Sequence, residues 1–307
     1  MDKYPFVRKL AIANPFMQLV LLMCALAVGM LLVGSAGVAL ASVFGVSPSQ
    51  VQEGLSLSNP SATRYLMAVQ SVGIFLLPPL LAAFLIYRRR ACIFLGVVRR
   101  PMSASVLLTV AALVAVIPFI SFAANANALL PLPEWAKSAD HAATKLTTEL
   151  MFTTSAATML LNLLVFALMP AVCEEFLFRG YLQRVLCAWT KNPHAAILAS
   201  AVAFSALHFQ FEGFIPRLLL GALFGYLLYW SGSLWLSVAA HFTNNAVAVC
   251  VYFYAARRGI VLDLDSPEIG ESTGALVALV SALVVLNLLG MIRRREKFRR
   301  LRRLNPT

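Results

Sequence analysis

Charged side chains are scarce in this chain of 307 residues. Asp, Glu, Lys and Arg make up 12% of it, whereas soluble domains carry about 25%. At the same time 60% of the residues are hydrophobic and the mean hydropathy is +0.81. A soluble globule with so few charges could not cover its surface with polar groups. The composition therefore argues against a soluble enzyme and predicts an integral, multi-pass membrane protein.

Several motifs that would indicate a familiar chemistry are also missing. The five cysteines include no Cys-x-x-Cys pair, which argues against a disulfide framework and a zinc ribbon. No His-Glu-x-x-His, Gly-x-Ser-x-Gly or Walker A sequence occurs. There is no internal repeat, soluble domain or low-complexity linker either. Residues 1–307 are therefore interpreted as a single integral membrane domain.

Apolar runs of about 20 residues are long enough to cross the hydrocarbon layer, and they predict an all-α bundle of about eight transmembrane helices with an intramembrane polar cavity. The expected spans are roughly 17–44, 65–87, 103–124, 156–188, 195–211, 215–230, 234–255 and 273–292. Pro170 is expected to kink the fourth span. Gly221 and Gly225 should let the sixth span pack closely against a neighbour. The segment after Pro133, with Trp135, is expected to form an interfacial helix.

Basic residues set the expected orientation. With the N-terminus in the cytosol, nineteen of the 25 basic residues lie inside: three before the first span, five at 88–100, three at 179–191 and eight at 293–303. The positive-inside rule therefore predicts that both termini are cytosolic, and the acidic segment 263–271 then lies outside. The two large basic clusters adjoin apolar runs, so the net charge of +12 is assigned to contact with anionic lipids and not to nucleic acid.

Ionisable residues inside a predicted span are the first functional signal, since each costs about 2.5–3.5 kcal/mol at membrane depth. In the fourth span, Glu175 and Arg179 are four residues apart and are expected to pair on one face of the helix. Adjacent residues project about 100° apart, so Glu174 is left to face a separate polar cavity. The alternative is that all three form a buried network that holds the helices together.

Two further spans each contribute polar groups. His208 lies near the end of the fifth span, and His241 and Asn245 are four residues apart on one face of the seventh. A lone histidine on an apolar helix, such as His208, is more often a core residue whose hydrogen bonds are made within the protein. The alternative for His241 and Asn245 is that they form hydrogen bonds between helices. Together with a carboxylate, however, two imidazoles and an amide suffice to activate water and stabilise an oxyanion.

In their order and separation, the motifs Glu-Glu-x-x-x-Arg, Phe-x-x-x-His and His-x-x-x-Asn resemble those of the CPBP family. This family comprises the CAAX prenyl endopeptidases of the second type and bacteriocin-processing or self-immunity proteins. The resemblance covers about residues 155–255 and implies an all-helical intramembrane endopeptidase with a cavity open to the cytosol. Matched by motif, the implied catalytic residues are Glu174, His208, His241 and Asn245, with Glu175 and Arg179 in support.

The expected mechanism is peptide hydrolysis by an activated water. Glu174 acts as the base, His208 helps to bind the water, and His241 and Asn245 donate hydrogen bonds to the oxyanion. A zinc-dependent version with Glu174, His208 and His241 as ligands is the alternative. Metal-independent hydrolysis is favoured because Asn245 is a poor zinc ligand and a good oxyanion donor.

The expected substrate is a prenylated protein or another membrane-associated peptide, and in a prokaryote the location would be the cytoplasmic membrane. A transporter or a scaffold is the non-enzymatic alternative. A transporter usually shows inverted repeats or paired broken helices, and a degenerate scaffold would lack part of the catalytic set. The predicted depths of two candidate residues disagree. The predicted bounds place His208 toward the outer end of span five, while Glu174 lies at mid-depth.

Overall fold

A computed structural model describes residues 14–260 and 274–304, with side chains as far as residue 299 in the second stretch. The acidic segment 263–271 and the basic residues at positions 3, 8 and 9 lie outside the described residues. All regular structure within the described ranges is helical. The all-α fold expected from the composition is confirmed.

Fifteen α-helices make up the described part of the chain. In order they are α1 (Pro15–Leu40), α2 (Pro48–Glu53), α3 (Pro60–Gln70), α4 (Leu77–Tyr87), α5 (Ala91–Leu95), α6 (Ser103–Ala115), α7 (Ile117–Ala128), α8 (Glu134–Met151), α9 (Ala156–Asn162), α10 (Met169–Glu175), α11 (Gln183–Thr190), α12 (Pro193–Ala206), α13 (Phe214–Ser231), α14 (Leu234–Arg258) and α15 (Ala275–Leu304). Three π-helical turns, Ser71–Leu76, Leu163–Leu168 and Phe176–Leu182, join α3 to α4, α9 to α10 and α10 to α11.

Six helical segments within the described ranges are long and apolar enough to cross a membrane. They are Pro15–Phe44, Pro60–Leu95, Ala156–Thr190, Phe214–Ser231, Leu234–Arg258 and Ala275–Arg299. Helices α6 and α7 meet at an angle of 43° and together pass the same test as a broken seventh span. The protein is therefore an integral, multi-pass membrane protein. The remaining predicted span, 195–211, corresponds to α12, which is apolar but shorter.

The predicted fifth span, 195–211, is wrong at its C-terminal end, because α12 ends at Ala206 and residues 207–213 form a non-helical connection. A helix of 14 residues is about 21 Å long, which is short of the roughly 30 Å hydrocarbon core. Glu174 lies 16 residues before the end of α11 at Thr190, about 24 Å along the axis. His208 and Glu174 therefore reach a similar depth, in contrast to the different depths predicted from the span bounds.

Gly221 and Gly225 of α13 let this helix pack closely against the helical segment that carries Glu174 and Arg179 and against α12. Arg179 Nη2 donates to the Gly221 carbonyl at 2.9 Å, and Gln183 Nε2 donates to the Gly225 carbonyl at 3.1 Å. A Cβ at Gly225 would lie 2.8 Å from Gln183 Oε1 and 2.9 Å from Ile197 Cγ2. The close packing predicted from the Gly-x-x-x-Gly spacing is present.

The connection between the third and fourth spans contains the helix predicted after Pro133. This helix, α8, exposes Trp135 but buries Asp140. A helix that lay only on the membrane surface would leave its charged residues in water. The buried Asp140 shows instead that α8 also packs into the protein, and its partners lie in the connection between α12 and α13.

Candidate active site

A fully buried ion pair organises the site. Arg179 Nη1 donates to Glu175 Oε1 at 2.7 Å, and neither side chain is exposed. The same carboxylate oxygen lies 2.9 Å from His241 Nδ1. Arg179 also donates to the Gly221 carbonyl of α13, and His241 belongs to α14. The ion pair therefore connects the segment α10–α11 to both of these helices. The pairing expected from the spacing of four residues is present, with His241 as an additional partner.

Aromatic rings fix the orientation of the His241 imidazole. It stacks on Phe224 with the ring centroids 5.1 Å apart, and it meets the edge of Phe204 at 5.7 Å. The guanidinium of Arg179 lies 4.4 Å from the centroid of Phe204, a distance suited to a cation–π contact. With Nδ1 bound to Glu175 and two aromatic rings packed against it, the imidazole has little freedom, and its Nε2 is held 3.9 Å from Glu174 Oε2.

The predicted catalytic residues meet at a cavity of about 300 Å³. Its polar lining consists of Glu174, His208, Arg217, His241, Asn244 and Asn245. Glu174 Oε2 is buried and makes no hydrogen bond within the described residues. It lies 3.9 Å from Nε2 of both His208 and His241. The structure thus brings the four residues to one cavity, and their roles in catalysis stay predictions.

The second nitrogen of each histidine indicates the tautomer. His208 Nδ1 lies 2.7 Å from the Phe204 carbonyl oxygen, which only accepts hydrogen bonds, so the proton is on Nδ1. His241 Nδ1 faces the carboxylate of Glu175 and donates in the same way while that group is ionised. In the neutral form, both histidines therefore turn an unprotonated Nε2, an acceptor, toward Glu174.

Asn245 is held by a hydrogen bond to a backbone carbonyl of the neighbouring helix, one turn before Pro170. Pro170 has no N–H and cannot bond the carbonyl four residues earlier, that of Phe166. Asn245 Nδ2 donates to this Phe166 oxygen at 3.2 Å. The proline that the sequence marks as a kink thus leaves an acceptor for the amide. One N–H of Asn245 is used there, and its second N–H remains for another acceptor.

Two further residues of the cavity were not predicted as part of the site. Asn244, which directly precedes Asn245, lines the cavity, and its Nδ2 donates to Asn245 Oδ1 at 3.1 Å. Arg217 is one of the six basic residues that the predicted orientation leaves outside the cytosol, yet it also lines the cavity. A cation inside a membrane span is energetically costly. The position of Arg217 inside the predicted span 215–230 was therefore the sequence feature that could have identified it.

The connection that carries His208 is held by two side chains from outside it. Asp140 of α8 is buried and accepts from the backbone N–H groups of Phe211 at 3.0 Å and Glu212 at 2.7 Å. Asn127 of α7 donates to the Phe211 carbonyl and accepts from Ile215 N. Non-helical backbone at membrane depth needs such partners because lipid offers none. These two residues therefore support the connection between His208 and Arg217.

Asp140→Asn is expected to loosen this connection. The amide keeps one acceptor and places an N–H donor against the second backbone N–H, so one charge-assisted hydrogen bond, worth about 1.5–3 kcal/mol, is lost. We expect faster hydrogen–deuterium exchange at Phe211 and Glu212, together with reduced turnover. Glu134→Gln is the matched control, because this carboxylate is on the same helix and 88% exposed. Equal exchange in the two variants would contradict the assignment.

The donor atoms at the cavity have the chemistry of a zinc site but not its spacing. Two imidazole Nε2 atoms and one carboxylate have the right chemistry, and each Nδ1 is bonded to an oxygen, as in many zinc sites. The spacing does not fit, since the donors around tetrahedral zinc lie about 3.3 Å apart and the two Nε2–Oε2 distances are 3.9 Å. Across residues 14–260 and 274–304, no group of three or more His, Cys, Asp or Glu side chains is gathered closely enough for a metal ion. As they stand, these side chains do not fit a tetrahedral zinc site.

Comparison with known proteins places this cavity in a family context. Residues 156–247 match the family described as "Type II CAAX prenyl endopeptidase Rce1-like". The chain carries an Rce1-like segment. Over 102 residues it is also 32% identical to the uncharacterized protein YpbD of Bacillus subtilis (strain 168), a match that covers 32% of this chain and 49% of YpbD. The chain thus matches about half the length of this curated relative. No solved structure matches the chain.

The Rce1-like segment contains every residue predicted for the site, and the resemblance inferred from the motifs is confirmed over this range. It also includes Arg217 and Asn244. Asn127 and Asp140, which support the connection after α12, precede it. The segment therefore supplies the chemical groups of the cavity, while the helices before it supply part of the framework.

Proposed function

We propose that this protein is an intramembrane endopeptidase that hydrolyses a peptide bond with a water activated by Glu174. The observation that carries the proposal is the buried Oε2 of Glu174, which makes no hydrogen bond within the described residues and lies 3.9 Å from two imidazole Nε2 atoms. The match of residues 156–247 to a family of CAAX-type endopeptidases supports the same reaction class.

The spacing of these three atoms suits a water molecule. An O–N separation of 3.9 Å is too long for a direct hydrogen bond, but two contacts of about 2.8 Å that meet at roughly 90° span about 4 Å. A water in this position donates one hydrogen to Glu174 and the other to His208. Its oxygen lone pairs then face away from both acceptors, toward the cavity. This arrangement orients the nucleophile before proton transfer.

The reaction follows from these positions. As the water oxygen bonds to the peptide carbon, Glu174 takes the water proton and the carbonyl oxygen becomes an oxyanion. Asn245 donates its second N–H to the oxyanion. His241 in its doubly protonated form donates from Nε2 to the oxyanion, while its Nδ1 stays bound to Glu175. When the C–N bond breaks, Glu174 returns the proton to the leaving nitrogen, which departs as an amine.

The proposed class of substrate rests on the position of Glu174 within the candidate membrane span Ala156–Thr190. We propose that the substrate is a prenylated protein or another membrane-associated peptide. In the proposed orientation both termini are cytosolic, and the basic clusters at 88–100 and 293–303 contact anionic lipids. For a prokaryote, we propose the cytoplasmic membrane as the location.

Asn245→Ala tests the mechanism on the purified protein in vesicles. Loss of one oxyanion donor is expected to lower kcat by about 10²–10³-fold with a much smaller change in KM, because the oxyanion exists only in the transition state. The two lost hydrogen bonds, to Phe166 and from Asn244, cost about 0.5–1.5 kcal/mol of stability each, so the variant should remain folded. Thermal melts and steady-state kinetics on the same preparation separate the two effects.

The control for this variant is Asn244→Ala, which removes the neighbouring amide but no donor assigned to the oxyanion. Treatment of the wild type with chelators distinguishes the zinc-dependent alternative. The water-and-oxyanion mechanism predicts activity that survives chelation and falls in Asn245→Ala. Activity that chelators abolish and zinc restores, with a nearly silent Asn245→Ala, would show that the mechanism is wrong.

A further inference from the structure

Arg217 brings to the catalytic cavity a positive charge that no carboxylate neutralises at close range. It lines the same cavity as Glu174, His208 and Asn245. No Asp or Glu oxygen lies within 4 Å of its guanidinium in the described ranges, whereas the other cation of the site, Arg179, is paired at 2.7 Å. A cation at membrane depth is costly without an anion. Asp140 and Glu174 act on this charge only from beyond ion-pair distance, so the guanidinium has no direct carboxylate partner and points to an anion that arrives with the substrate.

The guanidinium of Arg217 is held in a defined place. Nη1 donates to the Gln210 carbonyl at 3.0 Å, and Nη2 donates to Gln210 Oε1 at 2.7 Å. These two bonds use two of the five N–H groups of an arginine. Gly213 leaves the space, because a Cβ there would lie 2.5 Å from Arg217 Nη2. Arg217 is thus fixed in the lining, with N–H donors left for a ligand.

We infer that Arg217 is a specificity-determining residue that binds a carboxylate of the substrate beside the scissile bond. This inference rests on the proposed function and deepens it. An arginine presents parallel N–H groups that match a carboxylate and bind it through two hydrogen bonds. Peptide carbonyls are neutral and would leave the charge of Arg217 uncompensated. A carboxylate at the end of a chain or on an acidic side chain neutralises it and fixes the peptide in the cavity.

The test measures binding and does not depend on cleavage. The probes are N-acetyl-Val-Ile-Leu with a free carboxylate, the same tripeptide as a carboxamide, and N-acetyl-Val-Glu-Leu carboxamide. Each is titrated into the wild-type protein in vesicles by calorimetry. A charge-assisted hydrogen-bond pair predicts that the free acid binds about 10–100-fold more tightly than its carboxamide. If the Glu-containing carboxamide binds as tightly as the acid, the site accepts side-chain carboxylates as well as chain ends.

Two substitutions attribute the preference to Arg217. Arg217→Gln is expected to bring the affinity ratio of acid to carboxamide close to one, and Arg217→Lys to give an intermediate ratio because lysine cannot form the paired contact. Arg258→Gln removes one exposed positive charge at the end of α14 and should leave the ratio as in the wild type. Equal binding of acid and carboxamide to the wild type, no binding of the acid, or a preference that survives Arg217→Gln overturns the inference. A cleavage assay that fails while the binding preference is present would instead count against the proposed function.

Discussion

Glu174→Gln is expected to lower turnover by about 10²–10⁴-fold, the contribution of a positioned general base. The amide cannot take a proton from water, although it has nearly the same shape as the carboxylate. Since Glu174 Oε2 makes no hydrogen bond within the described part of the chain, the substitution breaks no hydrogen bond of that oxygen. Turnover should therefore fall in a protein that is still folded, as measured by cleavage rate and thermal melting of one preparation.

The control for this variant is Cys173→Ala. Cys173 is buried and directly precedes Glu174, and its thiol is the nearest candidate for a covalent nucleophile along the chain. Activation of water by Glu174 predicts that the alanine variant keeps its activity. An inactive but folded Cys173→Ala with an active Glu174→Gln would reverse the assignment of the two residues.

Glu175→Gln is expected to destabilise the fold strongly while Glu174→Gln does so only weakly. Glu175 Oε1 accepts from Arg179 at 2.7 Å and lies 2.9 Å from His241 Nδ1. Removing its charge leaves Arg179 buried without a counter-ion, and breaking one partner of a buried pair costs about 3–5 kcal/mol. The expected result is a clear fall in the melting temperature in detergent.

Glu174→Gln and Glu175→Gln change adjacent residues, so each variant serves as the control for the other. They remove the same charge from adjacent residues of α10. Equal melting temperatures would contradict the division into a structural Glu175 and a reactive Glu174. Restoration of the melting temperature by the double substitution Glu175→Gln with Arg179→Met would support it, because the unpaired charge is then removed.

The local part of the site was readable from the sequence. The ion pair of Glu175 and Arg179 follows from their spacing of four residues on a helix, and a membrane helix with these charges needs such a pair. His241 and Asn245 share a face for the same geometric reason. Pro170 was recognised as a break, but the bond from Asn245 to the carbonyl that it frees joins residues 79 apart, which the sequence alone does not specify.

The end of α12 and the support of the following connection were not readable. Hydropathy does not mark the helix end, because Leu207, Phe209 and Phe211 continue the apolar pattern through the non-helical residues. Phe209 has a φ of +52°, an uncommon conformation for a bulky residue. The bonds of Asp140 to this connection join residues 71 and 72 apart. Such contacts depend on tertiary packing and leave no periodic signal in the sequence.

The central claim is that this cavity hydrolyses peptide bonds, and the most direct test is a comparison of protein termini. Membranes that contain either the wild-type protein or Glu174→Gln at equal abundance are analysed for the N-termini of their membrane proteins and peptides. The account predicts new termini that arise with the wild type and are absent with Glu174→Gln. Identical sets of termini in the two membranes, with both proteins folded, would contradict it and favour a transporter or a scaffold.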